Sequence, residues 1–387
     1  MAMEVKLLQP VKVVCTDDLG ETLVDIMQTA GYSRPLMVTD SFVGSMPLVV
    51  AARTKLEQVG VDVAVFDQVK PDPLCETVES GVEAFEAHKA DSIIAIGGGS
   101  SMDVARGINI VRVNGGSIIE YTDPAKPIVP CNGMIAVPTT AGTGSEMSNA
   151  LVVTEGSTGR KLAVLADPAV SEYAVLNADL MLTLPAKMTI ACGLDAFCHA
   201  AEGYLSRMAS PVTDAICEKA MFLLYNYLPR AVANGQDREA RERVMVASTL
   251  AGWMLNNAGT IAGHSIAHVL GAKYHIVHGE AVGYALPAVM EFVAPVRAHK
   301  VREIGQILGA VYPENAPDEQ VAIIASRAFK DFRDRMLGLH PVEDYGISVE
   351  ELVSNAQAVV DERFAGNTPR DIDLQAAEQL LEDFGSR

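Results

Sequence analysis

Hydrophobic patterning divides this 387-residue chain into two halves of different kind. From residue 10 to about 185, short β-branched runs alternate with segments whose apolar residues recur at helical spacing. That alternation is typical of a mostly parallel, Rossmann-like sheet with helices on its faces. Beyond LTLPAKMT at 182–189 the strand signals end, and alanine- and leucine-rich helical patterns follow one another. The chain is therefore predicted to contain an α/β domain over residues 1–185 and an all-helical domain over residues 186–387.

Five short apolar runs are the predicted strands of the first half. The central ones are nearly continuous in apolar residues, as expected of strands buried on both faces. The five runs are VKVVC at 11–15, PLMVTD at 35–40, VDVAVFD at 61–67, SIIAIGGGS at 92–100 and MIAVPTT at 134–140. Residues 150–166 instead place two β-runs around a glycine-containing turn, which predicts an antiparallel hairpin.

The composition disfavours several classes of partner. A formal net charge of −19 leaves no basic tract to bind phosphates, so neither nucleic acid nor an anionic membrane is an expected partner. No segment reaches the eighteen or so apolar residues of a membrane span, and the N-terminus lacks a signal-peptide pattern. The six cysteines show no CxxC spacing, which fits reduced thiols. We therefore expect a globular, cytoplasmic protein.

Four of the eight histidines fall within fifteen positions, inside GTIAGHSIAHVLGAKYHIVHGEAVG. His264 and His268 are four residues apart, so a helix would project both from one face. Gly271 is placed to end that helix with a left-handed cap, and His275 and His278 would lie in the loop beyond. Neutral imidazole is the commonest protein ligand for a borderline metal, so this density indicates part of a metal site.

A carboxylate-bearing segment, GLDAFCHAAEGY at 193–204, supplies the other part. Asp195 and His199 are also four residues apart and would lie on one helical face. Together with two of the clustered histidines they form an Asp/His₃ set, which suits Fe²⁺, Zn²⁺ or Mn²⁺ and is too rich in nitrogen for Mg²⁺ or Ca²⁺. Glu202 could support a ligand, but an ordinary helix charge is the favoured interpretation.

A glycine-rich loop follows the fourth predicted strand. Gly97, Gly98 and Gly99 remove every β-carbon from the turn, so a ligand could approach the backbone, and the helix start beyond offers N–H donors to a diphosphate. Ser100 could cap that helix, with Asp103 as its capping-box partner. The spacing is not the GxGxxG of the usual dinucleotide fold, so a merely tight strand–helix turn is the alternative.

Two further features fit a dinucleotide. Hydroxyl-bearing and small residues follow the next strand as TTAGTGS at 139–145, where a loop could hold the nicotinamide end. Asp40 ends its strand run, and an acidic residue there can bind the adenosine ribose, which favours NAD over NADP. For each feature an ordinary turn is the alternative.

At this point the sequence resembles the iron-containing, group III, alcohol dehydrogenase family over nearly its whole length. The matching segments are GGGSSMDVARG at 97–107, PTTAGTGSE at 138–146, LPAKMTIACGLDAFCHAAEGY at 184–204 and AGHSIAHVLGAKYHIVHGEAVG at 262–283. The resemblance implies an N-terminal NAD-binding domain, a C-terminal metal-binding domain and a homodimer or higher homo-oligomer.

The resemblance also implies roles for individual residues. The positions matching the family's metal ligands are Asp195, His199, His264 and His278. His268 matches a histidine that the family keeps beside the substrate without binding the metal. The positions matching cofactor contacts are Asp40, Gly97, Gly98, Ser100, Asp103, Thr139, Thr140, Ser145 and Lys161.

Three departures from the family pattern stand out. Asn177–Ala178 replaces an aspartate–proline pair, and Cys192 replaces a serine or threonine; both are interpreted as packing changes, with Cys192 and Cys198 as buried small residues. The third is DERFAGNTPR, in which Arg363 and Phe364 occupy a loop that approaches the metal in relatives. That change could alter the substrate pocket.

The resulting hypothesis is an NAD(H)- and metal-dependent dehydrogenase that interconverts a small primary alcohol or diol and its aldehyde. The ion, Fe²⁺ in first place, would act as a Lewis acid, and His268 would relay a proton. Arg363 would allow a small anionic aldehyde such as sulfoacetaldehyde as a substrate, but a solvated arginine in an exposed loop is the favoured interpretation. The alternatives are an NAD-using lyase similar to dehydroquinate synthase and a metal-dependent hydrolase with purely structural glycine loops.

Overall fold

A computed structural model gives the structure of residues 6–386. Within these residues the chain divides into two compact units, 9–183 and 184–386, the second of which also includes residues 6–8. The first unit is α/β and the second is helical, so the predicted fold class is confirmed. Within residues 6–386, no helix combines the length and the apolarity that crossing a membrane requires.

A parallel sheet of six strands forms the centre of the first unit. The strands of this unit are β1 Lys12–Cys15, β2 Pro35–Val38, β3 Ala64–Phe66, β4 Ser92–Gly97, β5 Met134–Pro138, β6 Ala150–Thr154, β7 Lys161–Leu165 and β8 Tyr173–Leu176. The order in the sheet is β1-β8-β5-β4-β2-β3, and β6 and β7 form a separate two-stranded sheet. Every residue of β2, β4, β5 and β8 is buried, which explains why the central runs are apolar without alternation.

Helices cover both faces of this sheet. They are α1 Leu19–Ala30, α2 Ser41–Gly44, α3 Pro47–Gln58, α4 Cys75–His88 and α5 Gly99–Asn114. Successive residues of β4 point to opposite faces: Ile93 packs in a core cluster with α5, whereas Ile94 packs in a second cluster with α1 and α3. The sheet therefore has a separate hydrophobic core on each face.

The strand pattern does not predict β8, although β8 is an inner strand that pairs with both β1 and β5. Its four residues, YAVL, follow a one-turn 3-10 helix at Asp167–Ala169, so the apolar run is short and carries no flanking helical pattern. The predicted antiparallel hairpin is present as β6 paired with β7.

The second unit is built from helices in the part of it that the structure describes. They are α6 Ala186–Leu205, α7 Pro211–Ala233, α8 Arg238–Asn257, α9 Ala262–Tyr274, α10 His278–Ile307, α11 Asp318–Lys330, α12 Val349–Val353, α13 Ala356–Asp361 and α14 Leu374–Glu382. A π-helical turn at Asp331–Met336 extends α11, and a 3-10 turn at Arg363–Asn367 follows α13.

The prediction that Gly271 ends the histidine-bearing helix is wrong. Helix α9 continues to Tyr274, and His275 takes the left-handed conformation, with φ 57° and ψ 31°. Gly271 has a different reason to be glycine, because a β-carbon there would lie 3.3 Å from the carbonyl oxygen of Ile276. The connection to α10 is consequently short, and His278 is the first residue of that helix instead of a loop residue.

Candidate active site

Three helices of the second unit supply the predicted metal ligands. Asp195 and His199 lie one turn apart on α6 and are 4% and 5% exposed. His264 lies on α9 and is also buried, whereas His278 at the start of α10 is about half buried. Gly279 lets α10 begin beside α6, because a β-carbon there would lie 1.9 Å from the carbonyl oxygen of Ala191.

The four side chains converge on one carboxylate oxygen. The Nε2 atoms of His199, His264 and His278 lie 3.6, 3.8 and 3.5 Å from Oδ1 of Asp195. Ligand atoms of Asp195, His199 and His264 all lie within 4.8 Å of one another, with room for an ion between them. The four predicted side chains therefore lie together, and three of them form a group that could hold an ion, while metal binding itself stays a prediction.

Two buried atoms at the centre of this cluster lack a hydrogen-bond partner. They are Oδ1 of Asp195 and Nε2 of His264. An unpartnered buried carboxylate oxygen costs free energy, and separations of 3.5 to 3.8 Å are too long for hydrogen bonds to relieve it. A divalent cation would satisfy both atoms, so the residues present fit a metal ion.

The electrostatics of the cluster also suit a cation. Burial opposes ionisation of Asp195, but the neighbouring imidazoles of His199, His278 and His264 outweigh it and hold the pKa of the carboxyl well below its usual range. Partial burial and the neighbouring imidazoles of His268, His264 and His199 lower the pKa of His278, although Asp195 raises it, so this imidazole is neutral and can offer a lone pair. Although burial has the opposite effect, Glu202 and Asp195 raise the pKa of His264 to about 10.

Glu202 is not the ordinary helix charge that the sequence favours. It is completely buried, and its Oε1 lies 2.8 Å from Nδ1 of His264. Its Oε2 accepts hydrogen bonds from the amides of Ile261 and His264 at 2.8 and 3.2 Å. Because a carboxylate can only accept, Nδ1 of His264 carries a proton, which leaves Nε2, on the side of Asp195, as the nitrogen that would bind an ion once its own proton is released. Gly263 makes room for this contact, since a β-carbon there would lie 2.4 Å from Oε1 of Glu202.

His268 lies beside the cluster without joining it. Its ring stacks on that of His278, with centroids 5.4 Å apart, and its Nδ1 lies 3.2 Å from Oε1 of Glu362. The ring of Phe364 lies 5.5 Å from His268, which places the divergent loop against the predicted proton carrier. Arg363 is exposed, with its guanidinium 5.6 Å from the ring of Phe364. His275 is exposed and away from the ligand set.

In the α/β unit the two predicted loops lie against each other. The amide of Thr139 donates to the carbonyl oxygen of Gly97 at 2.9 Å. A β-carbon at Gly98 would lie 3.3 Å from the side chain of Thr140, and one at Gly99 would lie 2.9 Å from that of Thr143. The glycines therefore serve loop-to-loop packing as well as any ligand.

The capping prediction for the glycine loop is wrong. Helix α5 begins at Gly99 with Gly98 as its N-cap, and no side chain bonds its first amides. The turn is too tight for a serine cap, since even Gly97 comes so close to Ser101 that a β-carbon would lie 2.2 Å from the hydroxyl oxygen. Ser100 is consequently inside the first turn. The amide of Ser101 donates to the carbonyl oxygen of Gly98, so the N–H groups open to a ligand are those of Gly99 and Ser100.

Asp103 belongs to a buried network instead of a capping box. Its Oδ1 accepts from the hydroxyl of Ser145 at 3.1 Å, and its Oδ2 accepts from the amide of Val152 at 3.1 Å. Arg106, fully buried, donates to the carbonyl oxygens of Ser145 and Ala150 at 2.5 Å each. Burial raises the pKa of Asp103 to about 6, although Arg106 lowers it. Sequence reasoning missed Arg106, because a basic residue two turns along a helix ordinarily indicates a solvated face.

The remaining cofactor candidates occupy different places. Asp40 caps the short helix α2 through Oδ1, while its Oδ2 lies 4.0 Å from the β-carbon position of Gly97, beside the glycine loop. Lys161 is exposed on β7, and its Nζ contacts Oδ1 of Asp72 at 2.5 Å. The structure thus brings Asp40 to the glycine loop and gives Lys161 an acidic partner elsewhere on the surface.

The packing interpretations of the family departures are met in part. Asn177 caps a 3-10 turn by accepting a hydrogen bond from the amide of Asp179. Cys198 is fully buried, as predicted. Cys192 is only partly buried, so the prediction that it is a buried residue is wrong.

Comparison with known proteins gives matches over most of the chain. The profile of iron-containing alcohol dehydrogenases matches residues 10–178, and that of the C-terminal part of the Fe-containing alcohol dehydrogenase family matches residues 189–384. The NAD-dependent methanol dehydrogenase of Bacillus methanolicus is 34% identical over 92% of this chain and 93% of its own length. A crystal structure of a 1,3-propanediol oxidoreductase aligns with a TM-score of 0.91 and 29% identity, covering 99% of this chain and all of the other.

A third relative is the sulfoacetaldehyde reductase of Bifidobacterium kashiwanohense, solved in complex with NAD⁺. It aligns with a TM-score of 0.87 and 25% identity over the full length of both chains. The fold, the buried carboxylate–imidazole cluster and these matches define an oxidoreductase that acts on alcohols and aldehydes. The chain belongs to the iron-containing alcohol dehydrogenase family, whose members use NAD(H) and a divalent metal ion.

Proposed function

We propose that the helical unit holds the catalytic ion through Asp195, His199, His264 and His278. The observation that carries this proposal is the pair of buried, unpartnered atoms, Oδ1 of Asp195 and Nε2 of His264. One carboxylate and three imidazoles suit Fe²⁺ first, with Zn²⁺ and Mn²⁺ as candidates. The exposed edge of His278 leaves one side of the cluster open to a substrate oxygen.

We further propose that the α/β unit binds NAD(H) along its two adjoining loops. The start of α5 lacks a side-chain cap, so its amides can receive the diphosphate. Oδ2 of Asp40, beside Gly97, is placed for a ribose hydroxyl. The proposed contacts are Asp40, Gly97, Gly98, Ser100, Thr139, Thr140 and Ser145. Asp103 would hold Ser145 in place by accepting a hydrogen bond from its hydroxyl. The role of Lys161 stays a prediction.

The chain's own residues would divide the reaction between them. When bound, the ion supplies Lewis-acid polarisation of the substrate oxygen and the nicotinamide supplies or accepts the hydride. Asp195 and His199 would hold the ion in position for the substrate oxygen. Glu202 fixes the orientation of His264. His268 lies next to the ligands with its side chain 37% exposed, where it can pass a proton between the substrate oxygen and solvent.

The proposed substrate is a small primary alcohol or diol and its aldehyde. Phe364 packs against His268 and would form an apolar wall beside the reacting group. The guanidinium of Arg363, stacked on that ring, supports a small anionic aldehyde as a second candidate. The lyase and the hydrolase alternatives are disfavoured by the family assignment, and NADH absorbance during incubation with an aldehyde separates both from a dehydrogenase.

We also propose a homodimer in the cytoplasm. Strand β1 forms one edge of the sheet, and Val13 on it is 42% exposed, so a second copy could add its own β1 there. None of the six cysteines, all of which lie within residues 6–386, forms a disulfide, which is consistent with a reducing compartment. Light scattering of the purified chain tests the dimer.

Two alanine variants test the metal and proton roles together. His264→Ala should reduce both bound metal and NADH turnover to background, since it removes a ligand and strands Glu202. His268→Ala should keep the metal and lose roughly 100-fold or more in kcat. Metal content by mass spectrometry and initial rates with propanal are the measurements, and His275→Ala is the control on the same segment. Retention of metal and full rate in His264→Ala would contradict the proposed site.

A further inference from the structure

Glu362 gathers three hydrogen-bond donors from two separate segments. The hydroxyl of Ser265 donates to its Oε2 at 2.7 Å, and the amide of Phe364 donates to the same oxygen at 2.8 Å. Its Oε1 faces Nδ1 of His268 at 3.2 Å. Ser265 and His268 lie on α9, whereas Glu362 and Phe364 lie about 95 residues later along the chain, in the loop that departs from the family pattern.

The protonation state of Glu362 decides what His268 can do. Burial favours the neutral acid, but the hydrogen bonds from His268, Ser265 and the Phe364 amide outweigh it and hold the pKa of Glu362 below its usual value. The side chain is therefore a carboxylate, which can only accept hydrogen bonds. Nδ1 of His268 must carry a proton to satisfy this contact, and a neutral ring then has its lone pair on Nε2.

We propose that Glu362 is a positioning residue that holds His268 in the Nδ1–H tautomer, with Nε2 as the proton acceptor. The inference rests on the proposed role of His268 as the proton carrier. The same carboxylate binds the Phe364 amide, and the Phe364 ring packs on His268, so one side chain fixes both the tautomer of the imidazole and the aromatic group beside it. The loop that departs from the family pattern would thus contribute to proton transfer by orienting His268.

Glu362→Gln tests this with a change of one atom. Oε2 receives two donors, so the amide oxygen of glutamine is needed there, and its NH₂ group then faces Nδ1 of His268. Nδ1 must become an acceptor, which moves the proton to Nε2 and removes the lone pair from the reacting side. Asp361→Asn is the matched control, because it neutralises the exposed preceding carboxylate, whose partner is Gln357.

We expect kcat of Glu362→Gln to fall at least about tenfold and at most as far as in His268→Ala, with metal content and KM for NADH unchanged. Nitrogen-15 spectra of histidine-labelled, metal-loaded protein should show the His268 signals exchange Nδ1–H for Nε2–H character. Asp361→Asn should match the unaltered protein in both measurements. In the His268→Ala background, adding Glu362→Gln should change kcat by less than about twofold, since the two residues act as one unit.

The outcomes separate this inference from the proposed function. Full activity in His268→Ala would remove the proton role itself, and the positioning role with it. A slow His268→Ala with a Glu362→Gln variant as fast as Asp361→Asn would overturn only the inference. Additive losses in the double variant would also overturn it, because they would show that Glu362 acts independently of His268.

Discussion

Two fully buried charged side chains, one in each unit, organise the two halves of the proposed chemistry in different ways. Glu202, next to the proposed metal ligands, binds the imidazole of His264 and the amides of Ile261 and His264, so it orients the His264 side chain. Arg106, under the cofactor loops, binds the carbonyl oxygens of Ser145 and Ala150, so it holds backbone. The Glu202 carboxylate orients the His264 ring, whereas the Arg106 guanidinium fixes the position of the backbone at Ser145 and Ala150.

This difference predicts different failures. A metal ligand depends on the direction of one nitrogen, so loss of its partner should reduce affinity before it reduces stability. A loop held through carbonyl oxygens has no side chain to reorient, so loss of its guanidinium should reduce stability first. Three substitutions in the two networks test the contrast, and the expected free-energy change decreases from Arg106→Met through Glu202→Gln to Asp103→Asn.

Arg106→Met should have the largest effect on folding. It leaves the carbonyl oxygens of Ser145 and Ala150 without their donor and leaves Asp103 without its cation, so we expect a loss of about 3–5 kcal/mol in the free energy of unfolding. Urea unfolding followed by circular dichroism measures it. Arg160→Met, at a side chain that is 70% exposed, is the control. Equal stability of the two variants would show that the loop does not depend on Arg106.

Glu202→Gln should act on the ion more than on the fold. The glutamine oxygen can still accept from the amides of Ile261 and His264, but its NH₂ group would face Nδ1 of His264 and turn the lone pair away from Asp195. We expect metal affinity to fall about 10- to 100-fold. Competition with a metal-binding dye measures the change, with Glu218→Gln as a control on α7. Unchanged affinity would mean that Glu202 does not set the tautomer.

Much of the fold was accessible from local pattern. The apolar runs of β4 and β5 and the spacing of Asp195 with His199 are local signals, and the structure has both the strands and the shared helical face. Strand β8 was not predicted from the sequence, because four residues after a 3-10 turn carry too little periodicity to distinguish a buried strand from a loop. The helix end at Gly271 was misplaced because the glycine serves a close approach and not a left-handed turn.

The site was less accessible wherever its contacts span the sequence. Glu202 meets the amide of Ile261 across 59 residues, and Glu362 meets His268 across 94. Nothing local marks such carboxylates, because an acidic residue on a helix is ordinarily solvated. Arg106 was missed for the same reason. Ligands of one ion can be recognised by type and spacing, whereas the groups that orient them are defined only by the folded chain.

The smallest effect should be the contribution of Asp103 to the pH dependence of the free energy of unfolding. Its carboxyl group accepts a hydrogen bond from Ser145 and lies near Arg106. Its pKa is raised from 3.8 to about 6 by burial, so the folded protein binds this proton more tightly than the unfolded chain does. The resulting stabilisation is fully present below the unfolded pKa and is lost as pH rises through the folded value. Between about pH 5 and about pH 7 this group should lower the free energy of unfolding by about 1 kcal/mol.

Asp103→Asn should flatten that part of the pH profile, because asparagine does not titrate. Urea midpoints at three pH values across this interval measure the slope, with Asp123→Asn at an exposed position as the control. Profiles of Asp103→Asn and the unaltered protein that run parallel would mean that Asp103 keeps an ordinary pKa. In that case the Arg106 guanidinium would fully offset the effect of burial on the Asp103 carboxylate. The proposed cofactor loop at Ser145 would then depend on an ion pair between Asp103 and Arg106, much as His264 depends on the charged side chain of Glu202.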